Sequence, residues 1–90
     1  MNQASDTGKQ RRLYWRSRRG MLELDLLLVP FTLEAWAGLS PAEQAEYEQL
    51  LAGEDQELFA WLVKREPAGR WQGLVDRILA YNEAKADKAD

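Results

Sequence analysis

Apolar positions recur along this chain at intervals of three and four, and every element they predict is a helix. In L-E-L-D-L-L-L-V, residues Leu24, Leu27 and Leu28 fall at i, i+3 and i+4, predicting a helix over 21–29. Pro30 interrupts that helix by removing a backbone donor, and a kinked turn over 31–36 leads to the loop at Gly38. The run L-L-L-V-P-F is apolar enough for a buried strand, yet the chain offers no second strand to pair with it. Upstream, 9–18 reads as a short helix with Leu13, Tyr14 and Trp15 as its apolar content, N-capped by Asp6 or Thr7 and ended at Gly20. A single large aromatic on so short a helix is expected to anchor it, which assigns Trp15 to the core.

The sharpest boundary is Ser40-Pro41-Ala42-Glu43, with Ser at the N-cap, Pro at the first helical position and Glu at the third. The helix that starts there turns Tyr47, Leu50 and Leu51 inward, leaves Glu43, Glu46 and Glu48 in water, and stops at Gly53. Asp55 caps a fourth helix over 56–64, with Leu58, Phe59, Trp61 and Leu62 assigned to the core and Pro67 ending it. A last helix over 70–86 carries Trp71, Leu74, Val75 and Ile78 at i, i+3, i+4 and i+7. Residues 1–7 and 85–90 lack an apolar stripe and are expected to be tails. The pattern predicts one all-α domain over 1–90, a compact bundle of about five helices, two of them short.

Composition removes whole classes of chemistry. Ninety residues form one domain that buries roughly 60% of its unfolded surface, and no apolar run reaches the ~18 residues of a membrane span. Cysteine and histidine are both absent, which excludes disulfides, thiolate nucleophiles and imidazole-assisted hydrolysis. Ser5, Ser17 and Ser40 fall in a tail, a basic helix and a cap. The glycines form no phosphate-cradling pattern. Glu54, Asp55 and Glu57 are explained as anions at a helix N-terminus, so no catalytic, metal or cofactor-binding residue is expected. The polar start M-N-Q-A-S-D-T-G has neither signal-peptide nor transit-peptide character, and a cytoplasmic protein is expected.

The net charge of -3 conceals a polarised distribution. Lys9, Arg11, Arg12, Arg16, Arg18 and Arg19 crowd one short stretch with no acidic residue, whereas from Gly20 to Val63 there are nine acidic residues and no basic one. Such asymmetry forms either a solvated face or a steering patch. Tyr14 and Trp15 among arginines also suit a small nucleic-acid-binding or adaptor module, although an acidic domain with pI near 5.0 repels phosphate over most of its surface.

R-R-G-M-L-E-L-D, then V-P-F, then E-D-Q-E-L-F-A-W-L resemble the FAD assembly factor, or flavinator, family of succinate dehydrogenase, whose R-G-x-x-E motif is matched by Arg19, Gly20 and Glu23. Arg12, Trp15, Met21, Asp25, Pro30, Phe31, Asp55, Leu58, Phe59, Trp61 and Leu62 extend the likeness over about two thirds of the chain. One departure is Asp55-Gln56 where the family often has Asp-Pro. The resemblance implies an assembly chaperone without catalytic groups of its own. Its client is the flavoprotein subunit of succinate dehydrogenase, or of fumarate reductase, and FAD, the client's cofactor, becomes attached to a histidine of that subunit. It assigns Arg19, Gly20 and Glu23 to an outward-facing client-binding surface. Arg12 widens that surface, and Asp25 either joins it or pairs with a basic residue of the first helix. The factor is expected to be a monomer when alone.

Overall fold

The computed structural model describes the backbone of residues 3–89 and side chains from 8 to 86. Its helices are α1 (Gln3–Ser17), α2 (Leu22–Glu34), α3 (Pro41–Leu51), α4 (Asp55–Leu62) and α5 (Gln72–Ala89), with 3-10 turns at Trp36–Gly38 and Gly69–Trp71. No strand occurs among the described residues, so the L-L-L-V-P-F run is helical. The all-α bundle is as expected, and the differences lie at helix ends.

Helix α1 already includes Gln3, so Asp6 and Thr7 lie inside it rather than at its cap. Helix α2 runs through Pro30 to Glu34. The missing N–H of Pro30 leaves the carbonyl of Leu26, a residue 61% exposed, without its helical partner. The far end of α2 is held from outside: the Gln10 amide on α1 donates to the Thr32 and Leu33 carbonyls, each at 3.1 Å. These are among the last four carbonyls of the helix, which have no partner within it.

Helix α3 begins as expected, with the Glu43 N–H donating to Ser40 Oγ at 3.1 Å and the Ser40 N–H to Glu43 Oε1 at 2.9 Å. Helix α4 starts one residue earlier than predicted, with Asp55 in its first turn, and the Glu57 carboxylate accepts from the Glu54 N–H at 3.3 Å. It stops at Leu62, well before Pro67. Arg65 takes a left-handed conformation (φ 62°), and the Glu66 N–H closes on the Ala60 carbonyl at 2.9 Å, turning the chain off the helix. A 3-10 turn holds Trp71, so α5 starts at Gln72, two residues later than the expected start at 70.

Helix α2 is the centre of the bundle, packing on α1, α4 and α5, while α3 bridges α1 and α5. Leu24, Leu28 and Phe31 of α2 meet Leu13, Tyr47, Leu50, Leu51, Leu58, Leu62, Leu74, Val75 and Ile78 in one core. Phe31 packs against Tyr47 (ring centroids 5.2 Å) and edge-on to Tyr81 (5.6 Å). Of the expected α4 core, Leu58 and Leu62 are buried, while Phe59 and Trp61 lie half-buried against its edge.

Burying Tyr47 requires a partner for its hydroxyl. Thr32 Oγ1 lies 2.7 Å away, and the Tyr47 hydroxyl also donates to the Leu28 carbonyl at 3.3 Å. Desolvation in this site raises the Tyr47 pKa well above its ordinary range.

Trp15 is not in the core: it is 62% exposed. Helix α1 buries Leu13 and Ser17, four residues apart, with Gln10 and Tyr14 half-buried beside them. Trp15 is about 200° round the helix from Leu13 and therefore faces solvent, where its ring meets Tyr14 edge-on at 5.2 Å.

Candidate functional site

The predicted site lies at the joint where α1 passes into α2. Helix α1 ends with the Ser17 hydroxyl donating back to the Tyr14 carbonyl at 2.7 Å. Ser17 is fully buried, and its small side chain lets the end of α1 lie close against the fold. Gly20 then takes φ +82°, a conformation that costs other residues about 1–2 kcal/mol. A Cβ built on Gly20 would meet nothing within 4 Å, so the requirement here is the backbone conformation and not space.

Asp25, in the first turn of α2, reaches back to the joint and accepts from the Arg19 N–H at 2.7 Å. This answers the alternatives for Asp25 in an unexpected way. It does tie the two helices together, through the backbone of a basic residue rather than its side chain.

The Arg19 side chain corrects the outward-facing expectation. It is only 13% exposed and turns into the fold. Nη1 donates to the Arg16 carbonyl (2.9 Å) and the Leu51 carbonyl (3.0 Å), and Nη2 donates to the Gly53 carbonyl. Nε lies 2.8 Å from Asp55 Oδ1, an ionic contact without the alignment of a hydrogen bond. The Leu51 carbonyl belongs to the C-terminus of α3, where positive charge is favoured, and Asp55 to the N-terminus of α4, where negative charge is. One planar guanidinium thus fastens the α3–α4 turn to the α1–α2 joint through charge-assisted bonds.

Glu23, four residues on, has the opposite environment. It is exposed and makes no hydrogen bond or ion pair among the described residues, so the Arg19–Glu23 surface pair that the spacing allows does not form. The structure therefore brings Arg19, Gly20 and Asp25 together as a wired joint and leaves Glu23 projecting beside it. Arg12 is exposed and separate from this network. With Lys9, Leu13, Arg16 and Glu48 it borders a small depression toward α3. Lys9 pairs with Glu48 at 3.1 Å, whereas Arg11, Arg12, Arg16 and Arg18 form no ion pair among the described residues.

Three contributors to the site escaped sequence reasoning: the Gln10 amide, the buried Ser17 and the α3–α4 carbonyls that Arg19 binds. The position of Gln10 and Ser17, each three or four residues from Leu13, was the available signal for the first two. Nothing local signals the third, because Leu51 and Gly53 lie 32 and 34 residues from Arg19.

The family described as flavinator of succinate dehydrogenase matches residues 11–82, a range that contains the second half of α1, the joint, all of α2, α3 and α4 and most of α5. Among curated proteins, the FAD assembly factor SdhE of Pseudomonas syringae pv. syringae is 54% identical over 70 residues, 76% of this chain and 83% of that one. The Pseudomonas aeruginosa protein of the same name is 52% identical over 61 residues (68% and 73%). That of Vibrio cholerae is 40% identical over 79 residues (82% and 88%). No solved structure matches the chain.

Proposed function

This chain belongs to the flavinator family of succinate dehydrogenase, and on that premise we propose that it is an assembly factor which binds that enzyme's flavoprotein subunit and promotes covalent attachment of FAD to a histidine of the subunit. The observation that carries this reading is the exposed Glu23, without a partner among the described residues, beside the hydrogen-bonded joint. A carboxylate with no intramolecular task, held on an anchored turn, is a contact for donors on another molecule.

The chain has no histidine and no cysteine, so the reacting groups are the client's. The factor's contribution is geometric and electrostatic: it holds the subunit where its own histidine and the isoalloxazine ring meet productively. Glu23 makes the contact. Gly20, exposed and without a side chain, lets the client backbone approach closely. Arg19 and Asp25 are positioning residues that fix the angle at which α2 leaves the joint. Arg12, with its unpaired neighbours, draws in acidic surface of the client.

The test measures flavin fluorescence retained on the denatured flavoprotein subunit after incubation with FAD and factor. Glu23→Ala is expected to melt within about 0.5 kcal/mol of wild type, as surface changes do, while covalent flavin falls well below the wild-type level. Equal covalent flavin with wild type, Glu23→Ala and no factor would remove the assignment. The fumarate reductase flavoprotein, the second expected client, is tested in the same assay.

A further inference from the structure

Helix α2 is apolar almost all the way round, although only one side of it is covered. Leu24, Leu28, Phe31 and Thr32 are buried, whereas Leu22, Leu26 and Leu33 are 70%, 61% and 51% exposed, with half-buried Val29 between them. Positions 22, 26, 29 and 33 share one stripe about three turns, or roughly 16 Å, long. Together with Trp15 these leucines are the large apolar side chains left exposed among the described residues. A helix apolar on every side is ordinarily buried, and a contiguous exposed patch marks an interaction surface.

The stripe has a wall. Helix α1 runs beside it, and Tyr14 separates two depressions between the helices. One, of about 340 Å³, is bounded by Gln10, Arg11, Tyr14 and Leu33. The other, of about 380 Å³, is bounded by Tyr14, Arg18, Asp25, Leu26, Val29 and Pro30. The polar groups along this floor are already engaged: the Gln10 amide with two carbonyls of α2, and the Asp25 carboxylate with the Arg19 N–H. What remains is an apolar strip edged by Arg11 and Arg18, neither in an ion pair among the described residues.

We infer that this α1–α2 groove receives an amphipathic helix of the flavoprotein client, with apolar side chains spaced i, i+3 or i+4, and i+7 and with carboxylates along the edge that faces α1. The inference rests on the client reading above. Charge complementarity selects an acidic occupant, because the guanidiniums of Arg11 and Arg18 line a strip on a chain whose net charge is -3. Continuity places it in the client, because Glu23 flanks the stripe about 60° round α2 from Leu26, and the second depression is bounded by Asp25 of the joint. A second copy fits poorly: its α3 and α4 keep Tyr47, Leu50, Leu51, Leu58 and Leu62 buried, so it would have to present this same α2 stripe, which brings Arg11 and Arg18 toward like charges instead of carboxylates.

The experiment titrates the full-length factor into the purified flavoprotein subunit by calorimetry, with Leu26→Gln/Leu33→Gln, Arg11→Glu/Arg18→Glu and Glu23→Ala beside wild type. The leucine pair is expected to weaken binding at least tenfold with an unchanged helical circular dichroism spectrum. The arginine pair should lose affinity mainly at low salt, and hydrogen exchange on the complex should protect the α2 stripe and an acidic helix of the subunit. Both pairs binding like wild type while Glu23→Ala binds weakly overturns the groove and leaves the client reading standing. No binding by wild type overturns both. Sedimentation showing a wild-type dimer that the leucine pair dissociates, with subunit binding unchanged, assigns the groove to a second copy and overturns the proposal. If the leucine pair unfolds, the arginine pair and the exchange pattern decide the question alone.

Discussion

The start of α3 and the joint between α1 and α2 both satisfy backbone groups that a helix end leaves open, but over very different distances. At Ser40 the partners are three residues apart: side chain and backbone of Ser40 and Glu43 bond reciprocally, and Pro41 presets the first turn. At the joint, Ser17 donates to the Tyr14 carbonyl, Arg19 to the Arg16 carbonyl and the Asp25 carboxylate accepts from the Arg19 N–H, but these local bonds are only part of it. Arg19 reaches the carbonyls of Leu51 and Gly53, across the bundle from its own helix pair. A local cap forms wherever its four residues occur, whereas the joint exists only once α3 and α4 have docked. The difference teaches that the motif Arg19-Gly20-x-x-Glu23 is two devices in one: a buried anchor at its start and a free carboxylate at its end.

Breaking the anchor should have the largest effect. Arg19→Ala leaves the Arg16, Leu51 and Gly53 carbonyls and the Asp55 carboxylate without their cation, and denaturant unfolding should show a loss of about 3 kcal/mol. Arg19→Lys should recover less than half of it, because a point charge cannot serve carbonyls on two sides as a planar fork does. Loss of covalent flavin in Arg19→Ala should therefore track loss of folded factor, in contrast to Glu23→Ala.

Gly20→Ala comes next. With φ at +82° and open space around the new methyl, the cost is conformational, about 1 kcal/mol by thermal unfolding. A cost well above that would mean that something beyond backbone conformation is at stake. Ser40→Ala should cost a similar amount or slightly less, about 1 kcal/mol, and should not alter client binding, since the cap lies away from the joint.

The smallest effect is in pH. The Ser40 backbone N–H bonded to the Glu43 carboxylate holds its pKa below the ordinary 4.5, and the nearby Arg77 guanidinium acts in the same direction. The unfolded chain then binds this proton more readily than the folded one. The contribution is fully present above pH 4.5 and is lost as pH falls from there through the lower folded value. The melting-temperature gap between wild type and Glu43→Gln should narrow as pH falls through that window, and a gap constant with pH would contradict the assignment.

Legibility followed the same division. The Ser40 box, the Tyr47-Leu50-Leu51 stripe and the Leu74-Val75-Ile78 stripe could be read directly, because each depends on spacing within one helix. The size of Trp15 suggests a core residue, but its offset of two positions from Leu13 sets it on the far side of α1. Pro30 reads as an interruption, but α2 continues through it because core packing on Leu28 and Phe31 outweighs one lost bond. The fourth helix is expected over 56–64 with Pro67 as its stop, whereas it ends at Leu62 because the left-handed Arg65 turns the chain.

Periodicity and composition by themselves determined that this chain is a helical bundle, that it carries no histidine or cysteine chemistry, and that its charge is divided between a basic α1 and an acidic remainder. The ordered motif residues pointed to the family. Only the tertiary structure decided which motif side chains are free to act. Arg19 and Glu23 look alike in sequence, as two charged residues four apart at a helix start. The docked α3–α4 turn supplies carbonyls and a carboxylate within reach of Arg19 and nothing within reach of Glu23. Hydrogen-bond range is about 3 Å, and which groups come within it is settled by how the helices pack, not by their separation along the chain.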